Sequence, residues 1–132
     1  MEDQITYRID DSSLNEKDFL QLVMAVWPGT YDMQKLQLAL ENTINFTAWD
    51  GEVLVGCARL LTDGYLFSTL TEILVRPDYQ GKGIGRVLME MVYEASPSTL
   101  SFGVQPQNEA FFEKLGYQQT MGFFQKRKSR NS

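Results

Sequence analysis

The sequence predicts a single mixed α/β domain. Three observations carry that reading. Helical and strand periodicities alternate along the chain. Two Asp-Gly pairs, at 50–51 and 63–64, punctuate three strand-like runs in its middle. A glycine-rich turn at 81–85 then opens a strongly amphipathic stretch. A length of 132 residues fits one domain, and 43% hydrophobic with 22% charged residues argues against intrinsic disorder.

Residues 5–9 alternate apolar and polar side chains, which reads as a short strand. Ser13 precedes Glu16 at capping-box spacing. Phe19, Leu22, Val23, Val26 and Trp27 follow on one helical face until Pro28-Gly29 stops the helix. Asp32 caps a second helix with Met33, Leu36, Ala39 and Leu40 on one face. Residues 45–49 and 52–61 read as strands joined by Asp50-Gly51, a link expected to hold both residues at positive φ. Asp63-Gly64 leads into a third strand, 65–75. In the next helix Ile84, Val87, Leu88, Met91, Val92 and Ala95 share a face, and Pro97 ends it. Residues 99–104 read as a strand and 106–115 as a short helix closed by Gly116. Residues 117–119 and 123–126 read as closing strands, and 127–132 as a frayed basic tail.

Composition excludes several chemistries. The chain has no histidine, which removes Ser-His-Asp and Cys-His nucleophiles and His-ligated metals, so no metal is expected. The one cysteine, Cys57, can form no intrachain disulfide and reads as a small buried hydrophobe. Four of the twelve basic residues fall in the last seven positions. Residues 1–125 therefore carry 8 positive and 17 negative side chains, net −9. Such a body repels nucleic acid and attracts a cationic partner such as an amine. No apolar run approaches the ~18–20 residues of a membrane span, and the opening Met-Glu-Asp-Gln is the reverse of a signal peptide. The expectation is a cytoplasmic protein with no membrane partner.

The segment from Val75 to Arg86 reads Val-Arg-Pro-Asp-Tyr-Gln-Gly-Lys-Gly-Ile-Gly-Arg. A strand passes through a glycine-rich turn directly into a helix N-terminus. Unpaired N–H groups and the helix dipole favour an anion there, and glycine lets that anion come close. A purely structural tight turn is the alternative. A Walker A loop is excluded because Gly83, not Ser or Thr, follows Lys82. A dinucleotide fingerprint is excluded because the spacing is G-x-G-x-G and residues 98–106 hold no acid.

This segment resembles the signature of the GCN5-related N-acetyltransferase (GNAT) family, Gln/Arg-x-x-Gly-x-Gly/Ala after a strand ending Val-x-Pro. Gln80-Gly81-Lys82-Gly83-Ile84-Gly85 and Val75-Arg76-Pro77 match it. Phe112-Glu113-Lys114-Leu115-Gly116-Tyr117 is similar to a second family element, Tyr-Glu-Lys-Leu-Gly-Phe. The resemblance covers nearly the whole chain and implies a mixed, mostly antiparallel sheet flanked by helices.

It further implies binding of acetyl-coenzyme A. The pyrophosphate would lie on Gly81, Lys82, Gly83, Ile84, Gly85 and Arg86, and the pantetheine arm along Ile73, Leu74 and Val75 as an added strand. Asn108 matches a cofactor-contacting position, or is simply a helix N-cap. Phe112 stands where the family commonly has the tyrosine that protonates the departing thiolate, and phenylalanine has no proton to give. The thiolate then leaves unprotonated, or Tyr117, Tyr79 or Ser101 donates instead. Glu72, the one acid within 65–75, is the candidate base that takes the amine proton through water; the alternative is a structural pair with Arg59. Trp27 and Tyr31 lie where the family builds a wall of the acceptor site, though Trp27 could equally be core. The implied reaction moves acetyl from acetyl-coenzyme A to the primary amine of a small molecule by direct attack. A weakly active or non-catalytic acyl-coenzyme A-binding module, or an enzyme for a protein or peptide amine, are the rival readings. A homodimer is compatible with the sequence.

Overall fold

Two inner strands of the sheet are buried on each face, so the sheet is covered on two sides. The structure, a computed structural model, describes residues 4–129. Its strands are β1 (Ile5–Ile9), β2 (Ile44–Asp50), β3 (Val53–Thr62), β4 (Ser68–Val75) and β5 (Leu100–Ser101), side by side in that order. The first four are antiparallel; β5 joins β4 in parallel. The helices are α1 (Glu16–Val26), α2 (Met33–Glu41), α3 (Ile84–Ala95) and α4 (Glu109–Lys114). By internal contacts the chain groups into two compact units, Met1–Phe102 and Gly103–Ser132. Among the described residues no helix is long and apolar enough to cross a membrane.

In the first unit α1 and α2 cover one face of the sheet. Phe19, Leu22, Val23 and Leu40 pack there with Trp49, Leu54, Cys57 and Leu74. The other face takes α3, whose Ile84, Leu88, Met89 and Val92 are buried. Met89 is buried although the helical spacing left it off the apolar face, and Ala95, expected on that face, is exposed.

Several local expectations are corrected. Helix α1 is capped by Asn15, not Ser13. Asn15 accepts from the Asp18 N–H at 2.9 Å and donates to the Asp18 carboxylate at 3.0 Å. Ser13 is committed elsewhere, donating through both N–H and hydroxyl to Asp11. The β2–β3 link is Gly51-Glu52, and only Gly51 has positive φ (+60°). Glycine first is the II′ arrangement, so Asp50 stays in the strand. The expected strand 99–104 shrinks to Leu100–Ser101.

In the second unit a 3₁₀ turn, Pro106–Asn108, precedes α4. Gly116 (φ +95°) ends that helix as expected, with Gly116 N–H to Glu113 O and Tyr117 N–H to Phe112 O closing a Schellman motif. The closing strands at 117–119 and 123–126 are absent; both segments are coil. Their alternating residues have no ladder partner among the described residues. Phe123 packs on Gly103, and Phe124 is 94% exposed. Of the basic tail, residues 130–132 lie outside the described residues, and Arg127 and Lys128 are exposed coil.

Asp11 ties the start of the chain to the sheet. Its side chain is only 4% exposed. It accepts from Ser13, from the Thr47 hydroxyl at 2.8 Å and from the Trp49 indole N–H at 2.9 Å. Burial by itself would raise this carboxyl, but the hydrogen bonds from Ser13, Thr47 and Trp49 outweigh it and hold the group below its ordinary 3.8. A depressed native value stabilises the fold above the ordinary value and ceases to do so as pH falls through the native one. Asp11→Ala is expected to cost about 2–3 kcal/mol at pH 7. In urea titrations the gap between wild type and variant should narrow as pH falls below 3.8. A gap that stays constant across that range would show that Asp11 contributes as a neutral group.

Candidate functional site

The site begins with an interruption in the sheet. β4 pairs β3 from Ser68 to Val75, yet Arg59 faces Glu72 while Leu60 faces Leu70. Thr71 is therefore an extra residue on β4, a β-bulge that bends the strand. On the other edge β5 pairs only Ser68 and Thr69, just before the bulge. From Leu70 to Val75, β4 has no strand beyond β3 to pair with among the described residues.

The ladder tells which groups point to that open edge. Arg76 N–H donates to Val55 O at 2.8 Å, which makes this opposed pair a hydrogen-bonded one. Antiparallel pairs alternate, so Leu74 and Glu72 bond to β3, whereas Ile73 and Val75 direct their N–H and C=O outward. The side-chain amide of Gln80 takes the outward Val75 carbonyl at 3.0 Å. Of the predicted strand residues, Ile73 thus offers both backbone groups and Val75 its N–H, while Leu74 is buried against α1.

Beyond Val75 the chain makes a braced turn. Arg76 Nε donates to Leu54 O at 2.8 Å, and the 3₁₀ turn Pro77–Tyr79 is pinned by the Tyr79 hydroxyl donating to Asp50. Gly81 (φ +81°) and Gly83 (φ +86°) then adopt left-handed conformations that favour glycine. Gly83 is the N-cap of α3 and supplies no side-chain cap. The first intrahelical bond runs from Val87 N–H to Gly83 O at 3.1 Å, so the N–H groups of Ile84, Gly85 and Arg86 lack intrahelical acceptors. The Lys82 ammonium lies 5.2 Å from the centre of the Tyr79 ring, and Arg86 pairs with Glu90 at 3.0 Å. A Cβ at Gly81 would meet nothing within 4 Å, so the turn itself is uncrowded there. The residues present therefore fit an extended, amide-bearing ligand that ends in an anion.

Glu72 and Arg59 form an ion pair at 2.7 Å on the side of the sheet that α1 and α2 cover. Arg59 also reaches Ala39 O at 3.4 Å and Thr43 at 3.5 Å, and lies over Phe19. The Glu72 side chain remains 27% exposed, and its second oxygen has no hydrogen bond among the described residues. Trp27 is 53% exposed at the end of α1, which removes the core-packing alternative. Tyr31 packs on the core and donates to Trp27 O at 2.8 Å. Burial pushes the Cys57 thiol far up, so it stays protonated and is no nucleophile. In the second unit, Asn108 ends the 3₁₀ turn and makes no side-chain cap. Phe112 is buried, edge-on to Phe111 (5.0 Å) and Tyr117 (6.1 Å).

A protein-family model described as an acetyltransferase (GNAT) domain matches residues 41–119. The chain belongs to the GNAT acetyltransferase family. The uncharacterized N-acetyltransferase ycf52 of Porphyra purpurea is 34% identical over 120 residues, covering 84% of this chain and 69% of the relative. Among solved folds, a GNAT-family acetyltransferase from Streptococcus pneumoniae superposes with a TM-score of 0.78 at 24% identity, over 96% of this chain and all of that one. The aminoglycoside N-acetyltransferase AAC(6')-Iy, solved with CoA, superposes with a TM-score of 0.73 at 18% identity, over 95% of each chain. This GNAT fold was legible in the glycine motif. The capping role of Gln80 was not assigned from sequence, although its place at the head of the motif was the available signal. The Thr71 bulge left no sequence signal.

Gly83→Asp tests the turn. Aspartate is among the residues that best tolerate a left-handed backbone, so the change chiefly adds charge. Its CoA affinity should fall roughly hundredfold or more, while the near-isosteric Gly83→Asn loses much less. Calorimetry on both folded variants decides; near-normal binding by Gly83→Asp would remove the turn from the anion site.

Proposed function

We propose that this protein transfers acetyl from acetyl-CoA to the primary amine of a small molecule. One observation carries the reading: a strand edge unpaired among the described residues leads, through one braced turn, into a glycine-opened helix N-terminus with no side-chain cap. Ile73 and Val75 would pair the pantetheine amides, and the N–H groups of Ile84, Gly85 and Arg86 would hold the pyrophosphate, with Lys82 at its side. The AAC(6')-Iy fold has also been solved with a bisubstrate analogue joining CoA to a monomethyl-acetylneamine, which supports a small polyamine-like acceptor. The acidic body, net −9 over residues 1–125, draws such cations.

The chemistry needs little from the protein. The neutral amine attacks the thioester carbonyl carbon, the C–S bond breaks, and sulfur leaves with the electron pair as thiolate. That amine is made neutral beforehand: the ammonium's proton passes through water to the free oxygen of Glu72, while Arg59 fixes the other, and the adduct's own surplus proton goes to solvent. Phe112 offers no proton, and a thiol near ~8.5 is a good enough leaving group to depart as thiolate. Thiol release from acetyl-CoA across a panel of primary amines tests the proposal. Thermal stabilisation by CoA without turnover on any amine would favour the non-catalytic binding module.

The Arg59 pair favours a second role for Glu72, as a structural carboxylate, and one variant separates the two. If Glu72 is the base, Glu72→Gln should lower kcat/KM about 10²–10⁴-fold near neutral pH with CoA affinity nearly unchanged. The deficit should shrink as pH rises, because more of the amine is already neutral. A structural Glu72 instead gives a lower Tm and a deficit that does not recover. The comparison is kcat/KM from roughly pH 6 to 10.

A further inference from the structure

Gly56 sits in the middle of β3, opposite Val75, the residue at which the open edge of β4 ends. Its neighbour Val55 is an extra residue where β3 bulges against β2, but Gly56 itself has no positive φ, so a left-handed backbone is not what requires glycine. Space is what requires it. A Cβ there would lie 3.1 Å from Ile84 Cγ2, 3.1 Å from Leu88 Cδ1 and 3.4 Å from Ala48 Cβ. Ile84 is the first residue of α3 and supplies one of the unpaired N–H groups; Leu88 is one turn further on, fully buried. The start of α3 therefore rests on bare β3 backbone at the one position where β3 also pairs the end of β4.

We infer that Gly56 is a positioning residue for the anion end of the cofactor site. By carrying no side chain, it fixes how close the first turn of α3 sits to Val75. It thereby sets the spacing between the strand edge that takes an amide-bearing arm and the N–H groups that take its anion. The inference rests on the proposed acetyl-CoA reading and adds a residue that touches no ligand. A methyl at Gly56 must move Ile84 and Leu88 by a few tenths of an ångström, because two of its three neighbours are already at the limit of contact. That displaces the donors relative to β4 while leaving the β4 edge itself in place.

The test compares two donors that share the thioester and pantetheine arm and differ in the anion. For Gly56→Ala, kcat/KM with acetyl-CoA should fall on the order of tenfold, through KM. With S-acetylpantetheine, which has no pyrophosphate, it should change less than about twofold. Leu88→Val removes the Cδ1 contact. Combined with Gly56→Ala, it should recover part of the acetyl-CoA loss. If Gly56→Ala does not fold, Leu88→Val alone and the pair are compared instead, and the same donor split, reduced in size, is expected between them. Equal losses on both donors, or no loss on either in a folded variant, would overturn the inference. Failure of the wild-type protein to bind CoA by calorimetry would instead overturn the acetyl-CoA reading beneath it.

Discussion

An open strand edge is the constraint on which the rest of this structure depends. Backbone N–H and C=O groups are costly to leave unpaired, and natural sheets cover or blunt their edges. Here the edge of β4 lies inside the sheet order, between β4 and β5, and is kept open by three devices. Thr71 bulges and turns β4 away. β5 stops after two residues, so it cannot follow. Gln80 then takes the last outward carbonyl, Val75 O, which limits the exposed ladder to a few groups. An opening this short is too small to recruit a long foreign strand, yet it matches a short arm that carries its own amides.

Charge is handled in two different ways on the sheet. Asp11 is buried with Ser13, Thr47 and the Trp49 indole donating to it and the Arg8 guanidinium 3.8 Å away, and these partners join the end of β1, the approach to α1 and β2. Glu72 is held by a cation at one oxygen only and is left partly open to solvent. The first arrangement fixes a fold; the second fixes a carboxylate's direction while leaving it an oxygen to work with. Arg59 links that carboxylate to the C-terminal end of α2 through Ala39 O and Thr43, so the helices above the sheet and the residue on β4 share one anchor.

What could be read from sequence divides along a physical line. Features set within a few residues were legible. The turn glycines, the cap Gly116 and the Asp32 cap of α2 depend on local backbone angles and short-range hydrogen bonds. So were the periodic faces of α1 and α3, apart from Trp27 and Ala95, which are exposed, and Met89, which is buried. Features set by a distant partner were not. Whether 117–119 and 123–126 become strands depends on a ladder that another segment must supply. Thr71 becomes a bulge only because of how β3 registers against β4. Ser13 lost the cap of α1 because Asp11 claimed it, and Asp11 is placed by Thr47 and Trp49, more than thirty residues away. The Glu72–Arg59 contact lies between. Both strands were foreseen, so the pair could be named as an alternative, but only the register makes them neighbours.

The absence of a tyrosine at Phe112 weighs less than it first suggests. An alkylamine with an ammonium pKa near ~10.4 is more than 3 pH units from its neutral form at pH 7, about 4–5 kcal/mol. A thiol near ~8.5 is only ~1.5 units from thiolate at the same pH, about 2 kcal/mol. The larger requirement therefore falls on removing a proton from the nucleophile, not on delivering one to the leaving group. Once the amine is neutral and has added, the thiolate is a better leaving group than the amine it competes with, so collapse of the adduct runs toward product without an acid.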